Sequence, residues 1–232
     1  MNKTEILKAL TAAFRKEFSD GLGFREPTYA KVAMTIPSTT ATNTYAWLSA
    51  FPRMKEWVGE RTLNKLGKQA MSIENKLFES TVSVPRTDIE DDQVGIYRSI
   101  MKQAGVSAAE LPDDLVWPLL AKGKATLCYD GQNFFDTDHV WYKNVDGTGT
   151  TKNMSNLTTG TDADAPTWYV IDDTNVLKPL VYQERTKPEF ETKFDPSKSD
   201  KVFLEDVYLY GIRARGNAGF GLWQLAHMVE KT

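Results

Sequence analysis

Residues 72–84 read SIENKLFESTVSV, and residues 87–122 read TDIEDDQVGIYRSIMKQAGVSAAELPDDLVWPLLAK. The first run is typical of a strand and the second of a long helix that ends at Gly123, a residue favoured just after a helix. Apolar residues recur along the second run with a period near 3.6, which indicates one buried helical face. They are Val94, Tyr97, Ile100, Met101, Ala104, Ala108, Leu111, Leu115, Leu119 and Leu120.

The start of this helix is predicted near Thr87 or Asp88, either of which can serve as the N-cap. The carboxylates at residues 90–92 then fall in the first turn, where they suit the positive end of the helix dipole. Pro112 and Pro118 are expected to kink or restart the helix. We interpret the helix as a spine that spans most of the domain.

Composition limits the function. The chain has 232 residues, enough for one large domain or two small lobes, and 28 basic against 31 acidic residues give a formal charge of −3. Because a dedicated nucleic-acid binder usually has a basic excess, this balance argues against one. The single cysteine, Cys128, excludes an internal disulfide framework. Without an apolar run of about 18 residues or a signal-like N-terminus, we expect a soluble protein made in the cytoplasm.

The N-terminal segment, residues 4–19, is predicted to be an amphipathic helix closed by Gly21. Two interpretations stay open: a helix docked on its own chain, or an arm that packs on a neighbouring subunit. The apolar side of the helix carries Ile6, Leu7, Leu10, Phe14 and Phe18.

The other regular elements are predicted to be strands, with a polar flexible loop at residues 143–165 and a charged loop or edge at residues 184–200. Because the strands lie before and after a long helix without regular alternation, the fold class is α+β. The predicted strands are 29–36, 43–50, 127–129, 168–172, 179–183 and 202–213, with a strand or short helix at 220–229.

The segment FPRMKEWVGERTLNKLGKQAM, residues 51–71, combines high charge with aromatic side chains. It is too polar to build its own core and too aromatic for a plain linker. A protruding hairpin that packs on another molecule explains both properties. A surface helix over residues 54–66, packed on the same chain, is the alternative.

Few residues of the sequence suggest catalysis or metal binding. Asp130, Asp136, Asp138 and His139 could bind a divalent metal. We favour instead a turn-rich loop whose aspartates cap turns while Phe134 and Phe135 anchor it in the core. Cys128 lies in an apolar run and is expected to be a core residue rather than a nucleophile. With no catalytic motif apparent, we expect neither enzyme activity nor a bound cofactor or metal.

The sequence resembles the major head (capsid) subunits of Mu-like phages and prophages along nearly its whole length. The segments that carry the resemblance are LTAAFRKEFSDGL (10–22), NTYAWLSAFPRMKEWVGERTLNKL (43–66), SIENKLFESTVSVPRTDIEDDQVGIY (72–97), LPDDLVWPLLAKG (111–123), CYDGQNFFDTDH (128–139), NVDGTG (144–149), KPLVYQERTKPEF (178–190) and YLYGIRARGNAGFGLWQLAHM (208–228).

This resemblance implies the Hong Kong 97-type capsid fold. Its parts would be an N-terminal arm with the first peripheral strand (1–37), an extended loop (38–83), the spine helix of the peripheral domain (84–123), an axial domain (124–200) and a return to the peripheral domain (201–232). The polar loop at 143–165 would lie toward the capsomer axis or on an exposed surface.

The function that the resemblance implies is self-assembly into hexameric and pentameric capsomers of an icosahedral shell that encloses double-stranded DNA without sequence-specific binding. Further partners would be a scaffold or protease, a portal and decoration proteins, with assembly in the bacterial cytoplasm and no membrane. Two alternatives stay open: the shell of a phage-derived nanocompartment, and a metal-dependent hydrolase at Asp136, Asp138 and His139. The predicted inter-subunit contacts are Phe14, Phe18, Phe51, Arg53, Glu56, Trp57, Val58, Glu60, Arg61 and Lys65.

Overall fold

The computed structural model describes residues 3–46, 70–91, 93–142, 149–161 and 166–231. The described helices are α1 (Lys3–Leu22), α2 (Arg86–Glu90), α3 (Gly95–Lys122) and α4 (Asp200–Leu204). The described strands are β1 (Ala33–Pro37), β2 (Thr42–Tyr45), β3 (Met71–Glu74), β4 (Lys76–Pro85), β5 (His139–Tyr142), β6 (Thr151–Met154), β7 (Leu157–Thr159), β8 (Trp168–Ile171), β9 (Leu180–Lys193), β10 (Val207–Phe220) and β11 (Ala226–Glu230).

The strands form four small sheets in the described part of the chain. Their orders are β1-β9-β10-β4, β7-β11-β8, β2-β3 and β5-β6. Helices and sheets are segregated along the sequence rather than alternating, which confirms the predicted α+β class. The chain divides into two compact units: unit 1 holds residues 1–27, 75–113 and 184–216, and unit 2 holds residues 28–74, 114–183 and 217–232.

Unit 1 has its own apolar core between α1, the first part of α3 and the antiparallel pair β4–β10. Phe14 and Met101 are fully buried there, with Val84 and Tyr210 beside them. The two helices meet at glycines, because a Cβ atom on Gly105 would stand 3.0 Å from the Gly21 Cα and closer still to a backbone carbonyl. Only residues without a side chain allow two helix backbones to approach this closely.

Unit 2 has a larger core, to which the end of α3 and the strands β2, β3, β9, β10 and β11 contribute. Val116 of α3 is fully buried in it, as are Phe134 and Phe220, whose rings stack at 4.4 Å. The other buried members include Val32, Ala33, Tyr45, Ile73, Leu120, Cys128, Tyr129, Phe135, Leu180, Val181, Tyr182, Leu222, Trp223, Ala226 and Met228.

The long helix predicted for residues 88–122 is present, but it begins at Gly95. Thr87 and Asp88 are not its N-cap, because they lie inside the separate helix α2, whose N-cap position is Pro85. Asp88 instead accepts a hydrogen bond of 2.6 Å from the Tyr97 hydroxyl. The helix also runs without interruption to Lys122, so neither Pro112 nor Pro118 restarts it.

Three other expectations need correction. The polar stretch at 143–165 contains strands β6 and β7, because β6 pairs with the preceding strand β5 and β7 pairs with the distant strand β11. Residues 184–200 were expected to form a loop or an edge segment. The loop alternative is wrong for most of them, because β9 continues to Lys193. Strand β10 continues to Phe220 through glycines that the sequence pattern treated as breaks.

The predicted strand at 29–36 is shorter, since residues 29–31 form a 3-10 turn before β1. The predicted strand at 127–129 is reduced to an isolated bridge between Leu127 and Asn133. By contrast, the predicted strand at 168–172 is confirmed as β8. Across the described residues, no helix is long and apolar enough to cross a membrane.

Candidate assembly site

Strands β2 and β3 form an antiparallel ladder in unit 2. Thr42 lies opposite Glu74 and Tyr45 lies opposite Met71. The aromatic and charged segment therefore connects two neighbouring antiparallel strands. Residues 47–69, which include most of that segment, lie outside the described residues, whereas the paired strands on either side are described.

A fully buried glutamine joins both strands of this ladder to β9. The Tyr45 hydroxyl donates a hydrogen bond of 2.6 Å to Gln183 Oε1, and Gln183 Nε2 donates one of 3.1 Å to the Ile73 carbonyl. Gln183 is 0% exposed, so water does not compete for either bond. The Gln183 side chain thus attaches the base of the β2–β3 ladder, where Tyr45 and Ile73 lie, to β9 of the four-stranded sheet.

Two further contacts hold β3 at the same place. The Asn217 side chain donates a hydrogen bond of 2.8 Å to the Glu74 carbonyl. Gly219 faces Ile73 so closely that a Cβ atom there would lie 2.6 Å from its Cδ1 atom. The glycine is therefore required by close packing rather than by a turn.

The burial of Tyr45 also has an electrostatic consequence. Removal from water raises the pKa of this phenol above its ordinary value, while a hydrogen bond with Asn43 opposes the shift. Tyr45 consequently stays neutral and keeps the proton that it donates to Gln183.

Two of the residues predicted to contact another subunit, Phe14 and Phe18, lie in the described part of the chain. Phe14 and Phe18 are buried within their own chain, at ring distances of 4.9 Å from Tyr210 and 5.5 Å from Phe190. This is the docked-helix interpretation of the N-terminal segment, so any contact of α1 with a second subunit would use its exposed face. The remaining predicted contacts, Phe51, Arg53, Glu56, Trp57, Val58, Glu60, Arg61 and Lys65, lie outside the described residues and stay predictions.

The aspartate and histidine cluster is not arranged as a metal site. His139 is fully buried, donates or accepts through Nδ1 at 2.7 Å from Asp130, and stacks on Trp223 at 3.9 Å. Asp136 and Asp138 do not join this pair. Among the residues that the structure describes, no group of three or more His, Cys, Asp or Glu side chains could hold a metal ion.

The two other aspartates have local roles. Asp136 accepts a 2.7 Å hydrogen bond from the backbone N–H of Thr137, and Asp138 lies 3.5 Å from the amide of Asn153. Phe134 and Phe135 are buried. The preferred interpretation, a turn-rich loop anchored by its aromatic rings, is confirmed, and the hydrolase alternative at Asp136, Asp138 and His139 loses its geometric basis.

Cys128 is buried, with Sγ 3.5 Å from the Gly221 carbonyl oxygen. Burial, reinforced by the negative charge of Asp130, raises the pKa of this thiol far above its ordinary value. Since the thiolate is the reactive form, the cysteine is an inert core residue, as predicted.

Sequence reasoning missed two buried amides. Besides Gln183, Asn156 connects three parts of unit 2, because its side-chain nitrogen lies 2.8 Å from the Phe134 carbonyl oxygen and 3.2 Å from those of Trp223 and Ala226. A polar residue at the end of an apolar strand, such as Gln183 after PLVY, was the only available signal. Nothing in the polar surroundings of Asn156 distinguishes it from a loop residue.

Comparison with known proteins identifies the family. The family profile described as Mu-like prophage major head subunit gpT matches residues 7–232. The chain belongs to this family. The head subunit is 45% identical over 230 residues to the Mu-like prophage FluMu major head subunit of Haemophilus influenzae, across 97% of this chain and 73% of that relative. It is also 45% identical over 226 residues to the major capsid protein of Escherichia phage Mu, with the same two shares.

Solved structures agree with the sequence comparison. The head subunit matches a chain of the procapsid of bacteriophage JBD30 with a TM-score of 0.84 and 50% sequence identity, over 98% of this chain and 75% of that one. The predicted family and the Hong Kong 97-type capsid fold are therefore confirmed. The head subunit is a major capsid protein of the Mu-like type, a structural component of the virion shell.

Proposed function

We propose that the head subunit assembles into hexameric and pentameric capsomers of an icosahedral shell around double-stranded DNA, in the cytoplasm of the bacterial host and without catalysing a reaction. The observation that carries this proposal is the fixed base of the β2–β3 ladder. Gln183 bonds to both strands, so the two ends from which the connecting segment departs are fixed on each subunit. A defined place allows every copy to present the same segment to a neighbour, as a repeating shell requires.

In this proposal the segments keep the roles that the sequence suggested, except at two boundaries. Residues 1–37 form the arm with the first peripheral strand, 38–83 the extended loop, 84–123 the spine region and 124–183 the axial domain. The axial domain ends at residue 183 because residues 184–200 belong to unit 1. We place residues 217–232 with the axial part, because β11 pairs with both β7 and β8. Residues 184–216 then complete the peripheral part.

The extended loop supplies the main contact between subunits in this proposal. Phe51, Trp57 and Val58 are its apolar anchors, because buried aromatic side chains carry most of the energy of an interface. Its charged residues set the register by pairing across the contact. They are Arg53, Glu56, Glu60, Arg61 and Lys65.

The packaged DNA is enclosed without a sequence-specific grip. Sequence-independent binding of DNA depends on many Lys and Arg contacts with phosphates, and a chain with a formal charge of −3 has no excess to offer. A scaffold or protease, a portal and decoration proteins complete the proposed set of partners.

Particle size tests the proposal. We expect the natural head subunit to form rings or closed shells in light scattering and negative-stain microscopy, and Trp57→Ala to remove or weaken them. Trp57→Phe is the matched control, because it keeps an aromatic anchor. Shells of unchanged yield and stability from Trp57→Ala would refute the role of the loop, and a natural chain that stays monomeric with all of its head partners present would refute the proposed assembly.

A further inference from the structure

The solvent-facing side of α1 forms one wall of a groove in unit 1. The opposite wall is the segment that follows β9, at Phe194 and Asp195. The groove has a volume of about 1040 Å³, which lies above the range of about 300–1,000 Å³ typical of small-molecule pockets. Its size therefore fits a segment of a polypeptide better than a small molecule.

The floor of the groove is apolar and held in place by the core of unit 1. Leu7 and Phe194 are half-buried, and both pack against that core. The Phe194 ring makes edge contacts with Tyr208 and Tyr210, at centroid distances of 5.4 and 5.3 Å. Part of each side chain still lines the groove, so an apolar side chain placed there would gain free energy by burial.

The wall contributed by α1 carries two cations that are not neutralised. Lys8 and Arg15 are both exposed and line the groove, and neither forms an ion pair with another residue in the described part of the chain. The Arg15 guanidinium carbon lies 5.9 Å from the centroid of the Phe190 ring, a cation–π contact that orients it without removing its charge.

The two carboxylates of the groove, by contrast, have partners. Lys16 Nζ donates a hydrogen bond of 2.6 Å to Asp20. Asp195 accepts one of 2.9 Å from the backbone N–H of Ser197 and lies 3.4 Å from Lys198 Nζ. The charge that remains uncompensated in the groove is therefore positive.

The spacing of the two free cations specifies what can neutralise them. Lys8 and Arg15 are seven residues apart in a helix, so they lie on one face, about 10.5 Å apart along the axis. A second helix that lies along α1 has the same rise per residue. Carboxylates seven residues apart on that helix would meet both cations, and apolar side chains between them would meet the floor.

None of the four helices that the structure describes carries such a pair of carboxylates. The helices α2 and α4 are five residues long, too short to hold one. In α1 and α3 no two acidic residues are separated by seven positions. These residues are Glu5, Glu17 and Asp20 in α1, and Glu110, Asp113 and Asp114 in α3. The described helices of a second copy therefore do not match the groove.

We propose that this groove binds an amphipathic helix of a different protein, one that carries carboxylates seven residues apart with apolar residues between them. The proposal concerns the unassembled subunit and does not depend on the shell. DNA is a poorer match, because its phosphates are bound through Lys and Arg and gain nothing from an apolar floor.

Fluorescence anisotropy with two labelled synthetic helical peptides tests the proposal. The acidic peptide has two glutamates seven residues apart with two leucines between them, and the neutral peptide has glutamine in place of both glutamates. We expect the acidic peptide to bind the natural unassembled chain. The neutral peptide should bind at least about fivefold more weakly, because it lacks both ion pairs.

A matched pair of double variants locates the binding. Lys8→Gln with Arg15→Gln should weaken binding of the acidic peptide by at least about fivefold. Lys76→Gln with Lys187→Gln is the control, because both are exposed lysines of unit 1 outside the groove and the charge removed is the same. This control should bind as the natural chain does, and circular dichroism shows whether both variants fold.

Three results overturn the proposal. No binding of the acidic peptide is the result expected if a second copy or another part of the chain fills the groove. Equal weakening in the two double variants means that the attraction is not specific to the groove. A short DNA duplex that displaces the peptide, and that itself binds less to the groove variant, assigns the groove to nucleic acid.

Photo-crosslinking identifies the natural occupant. Ala12 lines the groove and is exposed, so it is replaced by p-benzoylphenylalanine in cells that assemble heads. We expect a product with a different protein, crosslinked at a helix that has the stated carboxylate spacing. A product that contains only head-subunit chains, or no product, contradicts the proposal. Failure of the natural chain to assemble refutes the proposed function instead, and leaves the peptide measurement unaffected.

Discussion

Adding one methyl group at Gly105 tests the close contact between α1 and α3 in unit 1. A Cβ atom at this position would lie 3.0 Å from both the Gly21 Cα and the Leu22 nitrogen, and the Phe18 carbonyl oxygen is nearer still. Ordinary contact begins at 3.4 Å, so even the two more distant atoms are about 0.4 Å too close. All of them belong to helix backbone, which cannot rotate away as a side chain can.

Two opposing effects determine the size of the change. Alanine is favoured over glycine inside a helix by about 0.5–1 kcal/mol. Overpacking a core costs about 1–3 kcal/mol, and more where the backbone must move. Steric cost should therefore exceed helix propensity, and we expect Gly105→Ala to destabilise the unassembled subunit by roughly 1–2 kcal/mol or more, which lowers Tm by about 2–8 °C.

Gly95→Ala is the matched control, because it lies at the start of the same helix and a Cβ atom there would meet nothing within 4 Å. Thermal unfolding of both variants, followed by circular dichroism, should show a lower Tm for Gly105→Ala and an unchanged or slightly higher Tm for Gly95→Ala. If Gly105→Ala is as stable as the natural chain, the two helices are not in backbone contact and the packing argument for unit 1 is wrong.

Three further predictions concern buried polar groups. Gln183→Leu leaves the Tyr45 hydroxyl without its buried acceptor and should cost about 1–3 kcal/mol in urea unfolding, whereas the exposed Gln103→Leu should change little. Burial raises the pKa of Tyr210 to about 12 from an ordinary 10.0. The stability that the neutral phenol contributes is therefore complete below pH 10 and is lost as the pH rises to 12. In alkaline unfolding curves, Tyr210→Phe should lose less stability over that range than the natural chain. Because burial also raises the pKa of Cys128, a thiol reagent at pH 8 should modify it only after the chain is unfolded in urea, and rapid modification of the folded chain would contradict its core position.

The long helix shows how far a local pattern reaches. Its apolar period was sufficient to predict a buried face and an end near Gly123. Of the predicted members, Met101 and Leu120 are buried, whereas Ile100 is exposed and the fully buried Val116 was not among them. Its start could not be predicted in the same way. A carboxylate-rich segment favours the start of any helix. Here Asp88 lies in the first turn of α2 and accepts a hydrogen bond from the Tyr97 hydroxyl.

The base of the loop shows the opposite case. The composition of residues 51–71 predicted a segment that packs on another molecule, and strands were predicted on both sides of it. The single strand predicted at 72–84 is divided between β3 and β4, which belong to different sheets. The role of Gln183 was not predicted, because its two partners are separated from it by 138 and 110 positions in the chain. Contacts of that separation leave no periodic signal.

The sequence by itself determined the family, the α+β class, the buried face of the long helix and the core position of Cys128. These features depend on local periodicity, composition and motifs that are contiguous in the chain. Only the tertiary structure decided that residues 157–159 form a strand, that β10 continues through its glycines, and that Gln183 and Asn156 are buried. Each of these depends on which distant backbone supplies hydrogen bonds or excludes water, and that partner is not present in the local sequence.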